Sequence, residues 1–419
     1  MNRRTTPFAF SIFPLLLIGF LSVSLSLRAQ EQEQAKGTFA EPADAAEVRA
    51  QISAVEKLKS VVADRGAVLY FLSTAKQHLG ETLEALSLLK KCLALREGFD
   101  PSGSPAFRGL KGMKEFDDLV DSVHRDFPPV GRARLAFVTE EKDLIPEGLA
   151  YDPKQNALYL GSLNRRKIVR IDADGRVSDF VPADRYGFLP ILGIRMDPTD
   201  ASIWADSFED AGRTELLHFD SAGKLLDRFA PNDHAKHGFN DLIVRKNGDV
   251  FTTDSLANQV FRLDPKSRAF VPLKIYRDLF YPNGIALADD DRSLYVADAV
   301  GIVRIDLASN SSGEVDPGPR STLAGADGLY WWKDNLIAVQ NGIGSPRVAA
   351  FKLSPDGSRV TQTKVLENRT QFTTLPTTGA IRGNLFYFIA NSQIDNLNDD
   401  KIMDVTALAP VRIAVVPLS

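Results

Sequence analysis

What most constrains this chain is a unit repeated six times between Leu144 and the C-terminus. Its openings read Pro146-Glu147-Gly148-Leu149, Ile191-Leu192-Gly193-Ile194, Phe239-Asn240-Asp241-Leu242, Pro282-Asn283-Gly284-Ile285, Ala326-Asp327-Gly328-Leu329 and, in weaker form, Thr377-Thr378-Gly379-Ala380. Each opening leads into an apolar strand, a turn and a second strand, such as Leu158-Tyr159-Leu160 or Leu294-Tyr295-Val296. The period is about 45 residues, the spacing of four-stranded propeller blades. The expected fold is therefore mainly β: a six-bladed β-propeller, here preceded by a small α-helical domain. A propeller brings equivalent positions of its blades together around one axis. Glu147, Asn240, Asn283 and Asp327 share one register and are expected to converge there.

Two carboxylates and two amides offer hard oxygens, which suit Ca²⁺, or Mg²⁺ with more waters. With no His or Cys in the set, zinc is disfavoured. Asn or Asp before Gly is also a common turn former, and each residue taken singly reads that way. Four at one register, interrupted by the apolar Leu192 in blade two, are harder to ascribe to turns.

At 419 residues the chain exceeds one ordinary domain. Charge is almost balanced, Lys+Arg 50 against Asp+Glu 54, and no long basic run points to nucleic acid. Arg3 and Arg4 precede an apolar stretch over residues 8–27, then Arg28-Ala29-Gln30 and a polar segment. This pattern reads as a secretory signal over residues 1–29, with periplasmic or secreted localisation and no membrane contact after cleavage. Leu27 is large for the third position before that cut, so a retained membrane anchor stays open as the alternative. Cys92 is the only cysteine, which excludes an intramolecular disulfide; it lies in a helical pattern and reads as a small core residue.

After a polar linker over residues 30–44, apolar residues recur at helical spacing: Val48, Ile52, Val55, Leu58, then Leu69, Leu72, Ala75, Leu79, then Leu83, Leu86, Leu89, Leu93. The stretch from Leu79-Gly80 to Pro101 resembles one tetratricopeptide repeat, with Gly80 and Ala85 small enough for close helix contact. A helical domain is expected over residues 45–127, either docking a protein partner or capping the propeller. Phe127-Pro128-Pro129 stops its last helix, because proline cannot continue one. The propeller is expected over residues 131–419. Strands at Leu135 to Val138 and Val411 to Val416 should share a blade, closing the ring without a long open edge.

These residues carry a resemblance. The propeller resembles the senescence-marker-protein/gluconolactonase (regucalcin-like) family and, more distantly, the paraoxonase arylesterases. The segments that carry it are Pro146-Glu147-Gly148, Phe239-Asn240-Asp241, Tyr281-Pro282-Asn283-Gly284 and Ala326-Asp327-Gly328-Leu329. The resemblance implies that Glu147, Asn283 and Asp327 ligate a divalent metal, that Asn240 lies beside them, and that Asp327 is also the general base. The chain departs from that pattern in two places. Gluconolactonases carry an Arg where this chain has Gly238, and paraoxonases a His where it has Leu192. His237 is the nearest substitute, as base or oxyanion donor, or it is a loop histidine. Asp206, Asp254 and Asp298 close second strands and read either as residues that orient ligands or as turn starters.

Two functions follow. One is an exported, Ca²⁺-dependent hydrolase of small-molecule lactones or other esters. The other is a non-catalytic ligand-binding or scaffold propeller whose helices dock a partner. The shared oxygen register favours the first, since a scaffold has no need to keep such a set together.

Overall fold

The computed structural model describes residues 42, 44–183, 185–209, 211–264, 266–398 and 401–419. The leader expected over residues 1–29 lies outside them. Six antiparallel sheets follow one another in chain order, the first four each built from consecutive strands. Blade one runs from Pro146–Asp152 to Val177–Val181, blade two from Ile191–Met196 to Leu225–Phe229, and blade three from Phe239–Val244 to Ala269–Pro272. Blade four runs from Ile285–Leu287 to Ser311–Glu314, and blade five from Ala326–Trp332 to Val360–Asn368. Blade six combines Gly379–Arg382, Leu385–Ile389 and Val411–Pro417 with the early strand Arg134–Thr139. The sequence expectation of a six-bladed propeller with a helical region before it describes this architecture.

The ring closes as its alternation demands. Arg134 pairs with Val415 and Thr139 with Val411, so an early and a late strand lie side by side. A second stitch was not legible in the sequence. Val130–Gly131, read only as the stop after the last helix, pairs with Asn368 and Glu367 at the outer edge of blade five. The chain thus crosses the seam between blades five and six and covers an edge on each side of it. Glu367 fastens the crossing, accepting hydrogen bonds from the backbone of Arg132 at 2.6 Å and Ala133 at 2.7 Å.

Between every pair of adjacent blades lies a separate apolar cluster. Leu329, Leu336 and Phe351 face Ala286, Tyr295 and Ile302 across blades four and five, for example. Tyr330, Val348 and Leu366 face Phe386 and Phe388 across blades five and six. Each fully buried Phe or Leu side chain contributes roughly 1.5–3 kcal/mol, so six such seams hold the ring without any disulfide.

Among the described residues four α-helices precede the ring: α1 (Ala45–Leu58), α2 (Arg65–His78), α3 (Thr82–Ala94) and α4 (Lys114–Asp126). The predicted stripe of α1 is buried at Val48, Ile52, Val55 and Leu58. α2 and α3 form a hairpin turning at Gly80, with φ +77, and Ser73 Oγ donates to Ala85 O at 2.8 Å. Cys92 is buried in the same core. That core is shared with the propeller: Tyr281, Ala299, Val300, Ala324 and Ile343 belong to it, and Phe71 meets Phe280 edge-on at 5.0 Å. Among the described residues no helix is long and apolar enough to cross a membrane.

Candidate metal centre on the propeller axis

Glu147, Asn240 and Asp327 sit at the start of the innermost strand of their blades, where the strand pairing is irregular, while Asn283 stands just before the regularly paired Ile285–Leu287. Register shifts fall between Pro146 and Leu149, Ile191 and Ile194, Phe239 and Leu242, and Ala326 and Gly328. A bulge re-aims the side chain it carries, so the repeated register seen in the sequence marks a repeated kink. The glycines that follow serve close approach rather than a turn. A Cβ on Gly148 would lie 2.0 Å from Leu192 O, and one on Gly284 2.6 Å from Asp327 O. Innermost strands of neighbouring blades therefore touch backbone to backbone at this level.

Two of the four segments enter through strained backbone. Ile145, before Pro146-Glu147, has φ +46, and Tyr281, before Pro282-Asn283, has φ +55. Left-handed geometry is unfavourable for a β-branched or aromatic residue and costs on the order of 1–3 kcal/mol. Surrounding bonds hold it: Asn258 Oδ1 accepts from Tyr281 N at 2.7 Å, and Ile145 O accepts from Leu163 N at 3.1 Å.

Glu147, Asn283 and Asp327 line a single cavity of about 50 Å³, together with Asn341, Thr377, Asp298, Tyr281, Leu375 and Ile394. That is room for roughly three or four water-sized groups. Asn283 Nδ2 donates to Asp327 Oδ1 at 2.9 Å, and Asn341 Nδ2 to Asp327 Oδ2 at 2.5 Å. Glu147 Oε2 and Asn283 Oδ1 are buried without a hydrogen-bond partner. Burial, and then the charge of Asp327, push the Glu147 carboxyl well above the usual range. Burial also pushes Asp327 up, against the Asn341 and Asn283 amides that favour its ionised form.

Two buried carboxylates and two unpartnered oxygens around one small space are costly. A hard divalent cation would offset that cost, and oxygen donors of this kind fit Ca²⁺ chemistry. Among the described residues no three His, Cys, Asp or Glu side chains gather closely enough to hold a metal by themselves. Amide oxygens would have to complete the set, in keeping with a hard cation rather than zinc.

Asn240 is not among the residues lining the cavity. Its Nδ2 donates to Ser255 Oγ at 3.0 Å, and Ser255 Oγ donates to Pro282 O at 2.7 Å, next to Asn283. It reaches the site through that chain. Asn341, absent from the sequence reading, is the residue that grips Asp327. Its signal lay one position beyond the second strand of blade five, where blade three has Ser255. Thr377 and Thr378, the weak sixth opening, both donate hydroxyls to Glu147 O and so tie blade one to blade six.

The family described as SMP-30/gluconolactonase/LRE-like region matches residues 145–366, more than half of the chain and a span that includes Glu147, Asn240, Asn283, Asp327 and Asn341. The chain belongs to this family. Solved structures similar to this gluconolactonase-like propeller include a gluconolactonase from Xanthomonas campestris, 17% identical over 70% of this chain and 98% of that one, with a TM-score of 0.48. A PQQ-bound aldose sugar dehydrogenase from Streptomyces coelicolor is 14% identical over 68% of this chain and 99% of that one, at 0.48. A virginiamycin B lyase from Staphylococcus aureus, crystallised with quinupristin, is 15% identical over 69% and 99%, also at 0.48. Comparison with curated protein sequences gives no match.

The departures from the family pattern have packing reasons. A Cβ on Gly238 would meet Leu256 Cγ at 2.9 Å and Phe208 Cε2 at 3.1 Å, which leaves no space for an arginine. Leu192 is buried in an apolar cluster with Ile145, Leu163, Phe208, Leu397 and Leu408, so blade two contributes a plug where others contribute oxygen. His237 does not line the cavity. Its Nδ1 bonds Asp254 Oδ2 at 2.6 Å and its Nε2 bonds Asp233 Oδ1 at 2.9 Å. The Asp254 hydrogen bond, opposed by burial and aided by Asp233, raises its pKa to about 9. A protonated ring with both nitrogens engaged fastens a loop and has no lone pair to accept a proton.

Asp254 and Asp298 bond the backbone just ahead of the segments that hold Asn240 and Asn283. Asp254 Oδ1 accepts from Gly238 N at 2.9 Å, and Asp298 Oδ2 from Phe280 N at 3.1 Å and Arg277 Nη1 at 2.6 Å. Asp206 accepts from Thr252 Oγ1 at 3.1 Å. Beside these, Arg195 Nη2 donates to Asp241 Oδ2 at 2.7 Å and stacks 4.9 Å from the Tyr330 ring. The positive charge nearest Asp241 is thus already paired.

Proposed function

We propose that this protein is an exported, Ca²⁺-dependent hydrolase of lactones or other esters. One observation carries the reading: Glu147, Asn283 and Asp327 line one cavity in which Glu147 Oε2 and Asn283 Oδ1 have no donor. Membership in a family that includes gluconolactonases supports a lactone as the substrate class. The apolar run over residues 8–27 behind Arg3 and Arg4 supports export.

A cation held by Glu147, Asn283 and Asp327 would supply an electrophile that polarises the substrate carbonyl. Asp327 carries one oxygen bonded by Asn283 and one by Asn341, so its carboxylate is fixed in orientation and serves as the proton acceptor for an attacking water. A carboxylate beside a cation is a modest base. That suits esters and lactones, whose leaving groups are good, and disfavours amides. Leu375, Ile394 and Tyr281 supply apolar walls that keep bulk water away from the reacting atoms. A groove of about 600 Å³, walled by Ala50, Ala54 and Leu58 of α1 and by Leu256, Phe280 and Tyr281, shares Tyr281 with the cavity and offers room for the rest of a substrate.

The test is a panel of lactones and aryl esters assayed with Ca²⁺ and with chelator. Turnover of at least one class that disappears on chelation and returns with Ca²⁺ is expected. Turnover unaffected by chelation would remove the cation from the reading. No turnover alongside tight Ca²⁺ binding would favour a ligand-binding propeller.

A further inference from the structure

Asn341, one of the two residues that hold Asp327, lies in a loop fastened to the helical region. Asn341 opens a loop over residues 341–345 whose next bonds run to the helical region. Asp100 N donates to Ile343 O at 3.1 Å, Ser345 N donates to Asp100 O at 2.8 Å, and Ser102 Oγ lies 3.2 Å from Ser345 Oγ. Asp100 and Gly344 form a parallel bridge, so a strand-like contact joins the two regions at this point.

On the other side of Asp327, residues 322–325 are caught by one carboxylate. Asp64 Oδ2 accepts from Thr322 Oγ1 at 2.7 Å and Leu323 N at 2.9 Å, while its Oδ1 accepts from Ala67 N at 3.0 Å and caps α2. Asp64 is 1% exposed, and with these donors placed around it the interface admits little adjustment. The two loops are also tied to each other: Gly342 N donates to Gly325 O at 3.1 Å, and Gln340 Nε2 donates to Ala324 O at 2.7 Å. Gly325, Asn341 and Gly342 all line the cavity.

We propose that the helical region is a working part of the metal centre, in which Asp64 and the segment around Asp100 are positioning residues that fix both loops flanking Asp327 and thereby set cation affinity. The proposal rests on the reading of the cavity as a cation site. The physical reason is preorganisation. A ligand held by loops already frozen loses little conformational freedom on binding, whereas loosened loops must be ordered at the expense of affinity. A helical region that served only as a separate docking module would have no need to grip these two loops.

The test uses the full chain and two kinds of lesion. Gly103→Ala adds a Cβ that would lie 2.8 Å from Ser345 Cα, pressing on the loop from the helical side without deleting a bond. Asp64→Ala removes the clasp on residues 322–323, and Asp64→Asn restores an acceptor at the same place. Ca²⁺ affinity is measured by calorimetry, and loop order by hydrogen exchange of residues 322–327 and 340–345. Gly103→Ala and Asp64→Ala should bind Ca²⁺ about 10-fold more weakly and exchange faster in those two segments alone, with Asp64→Asn recovering most of both. Wild-type affinity and wild-type exchange in the two alanine variants would overturn the proposal. So would faster exchange spread evenly over all six blades, which would mark a general loss of stability. Should the wild-type protein take up no Ca²⁺, the cation reading falls, and exchange in the two segments still decides whether the helices position them.

Discussion

Near the openings of the blades, buried carboxylates are balanced in two different ways. In blades three and four the acid is met by a cation from the chain itself: Asp254 by His237, and Asp298 by Arg277, which also bonds Glu314 at 2.5 Å. Across blades one and five, Glu147 and Asp327 receive only amides and hydroxyls, and two oxygens of the set receive nothing. The first arrangement is complete and serves to hold loops. The second leaves buried oxygens without a donor, and on the proposed reading a cation would meet them. Register alone shows where oxygens gather; the local charge balance distinguishes a group fastened from within from one that could take a cation.

The sharpest way to break this contrast is at Asp327. Asp327→Asn keeps an oxygen for a cation but removes the proton acceptor, so ester or lactone turnover should fall on the order of 10²-fold or more while the fold survives. Circular dichroism alongside steady-state kinetics checks both parts. Wild-type turnover under saturating Ca²⁺ would show that Asp327 is not the base. Glu147→Gln should act through affinity instead. Its turnover should be low at limiting Ca²⁺ and largely restored by excess, a recovery that Asp327→Asn does not share.

A smaller effect is expected in stability. Ca²⁺ at about 100 times its Kd should stabilise the folded protein by about 2.7 kcal/mol, raising the Tm by about 2–4 °C or less in a chain of this size. Glu147→Gln should lose that rise at the same concentration, and His237→Gln should keep it. The smallest change belongs to the fastening itself. His237 titrates near 9 in the folded protein against an ordinary 6.5. A raised pKa contributes stability that is fully present below about 6.5 and is lost as pH climbs through about 9. His237→Gln should therefore cost about 1–2 kcal/mol at pH 6, and little at pH 10, with turnover almost unchanged. A 10²-fold loss of turnover in His237→Gln would erase the distinction between the two clusters.

Much of this was legible in the sequence because a propeller writes its geometry as a period. The six openings gave the blade count, and the shared register brought Glu147, Asn283 and Asp327 to one cavity. What escaped had no periodic signature. Asn341 acts on Asp327 from a position where the other blades carry unlike residues, so no repeat revealed it. Asn240 shares the register yet bonds Ser255 rather than lining the cavity, a difference of side-chain direction that the sequence, recording only position, does not show. Val130–Gly131 is two residues long, too short for any alternation to show. The placement of the helices depended on Asp64 and Asp100, single residues whose partners lie more than two hundred positions away.

The double stitch at the seam also bears on the order in which the molecule assembles. Arg134–Thr139 and the strand it pairs with, Val411–Pro417, stand at opposite ends of the propeller sequence, with five blades between them. Closing so long a loop adds little free energy, since each doubling of length costs only about 0.6 kcal/mol. It costs time, because contacts between distant segments form late and slowly. Five blades and the helices can therefore stand finished around an open gap, with Arg134–Thr139 and Leu385–Ile389 presenting bare edges to any other strand nearby. In that interval the unfinished ring is most exposed to pairing with a neighbouring chain, and docking of Val411–Pro417 ends the hazard.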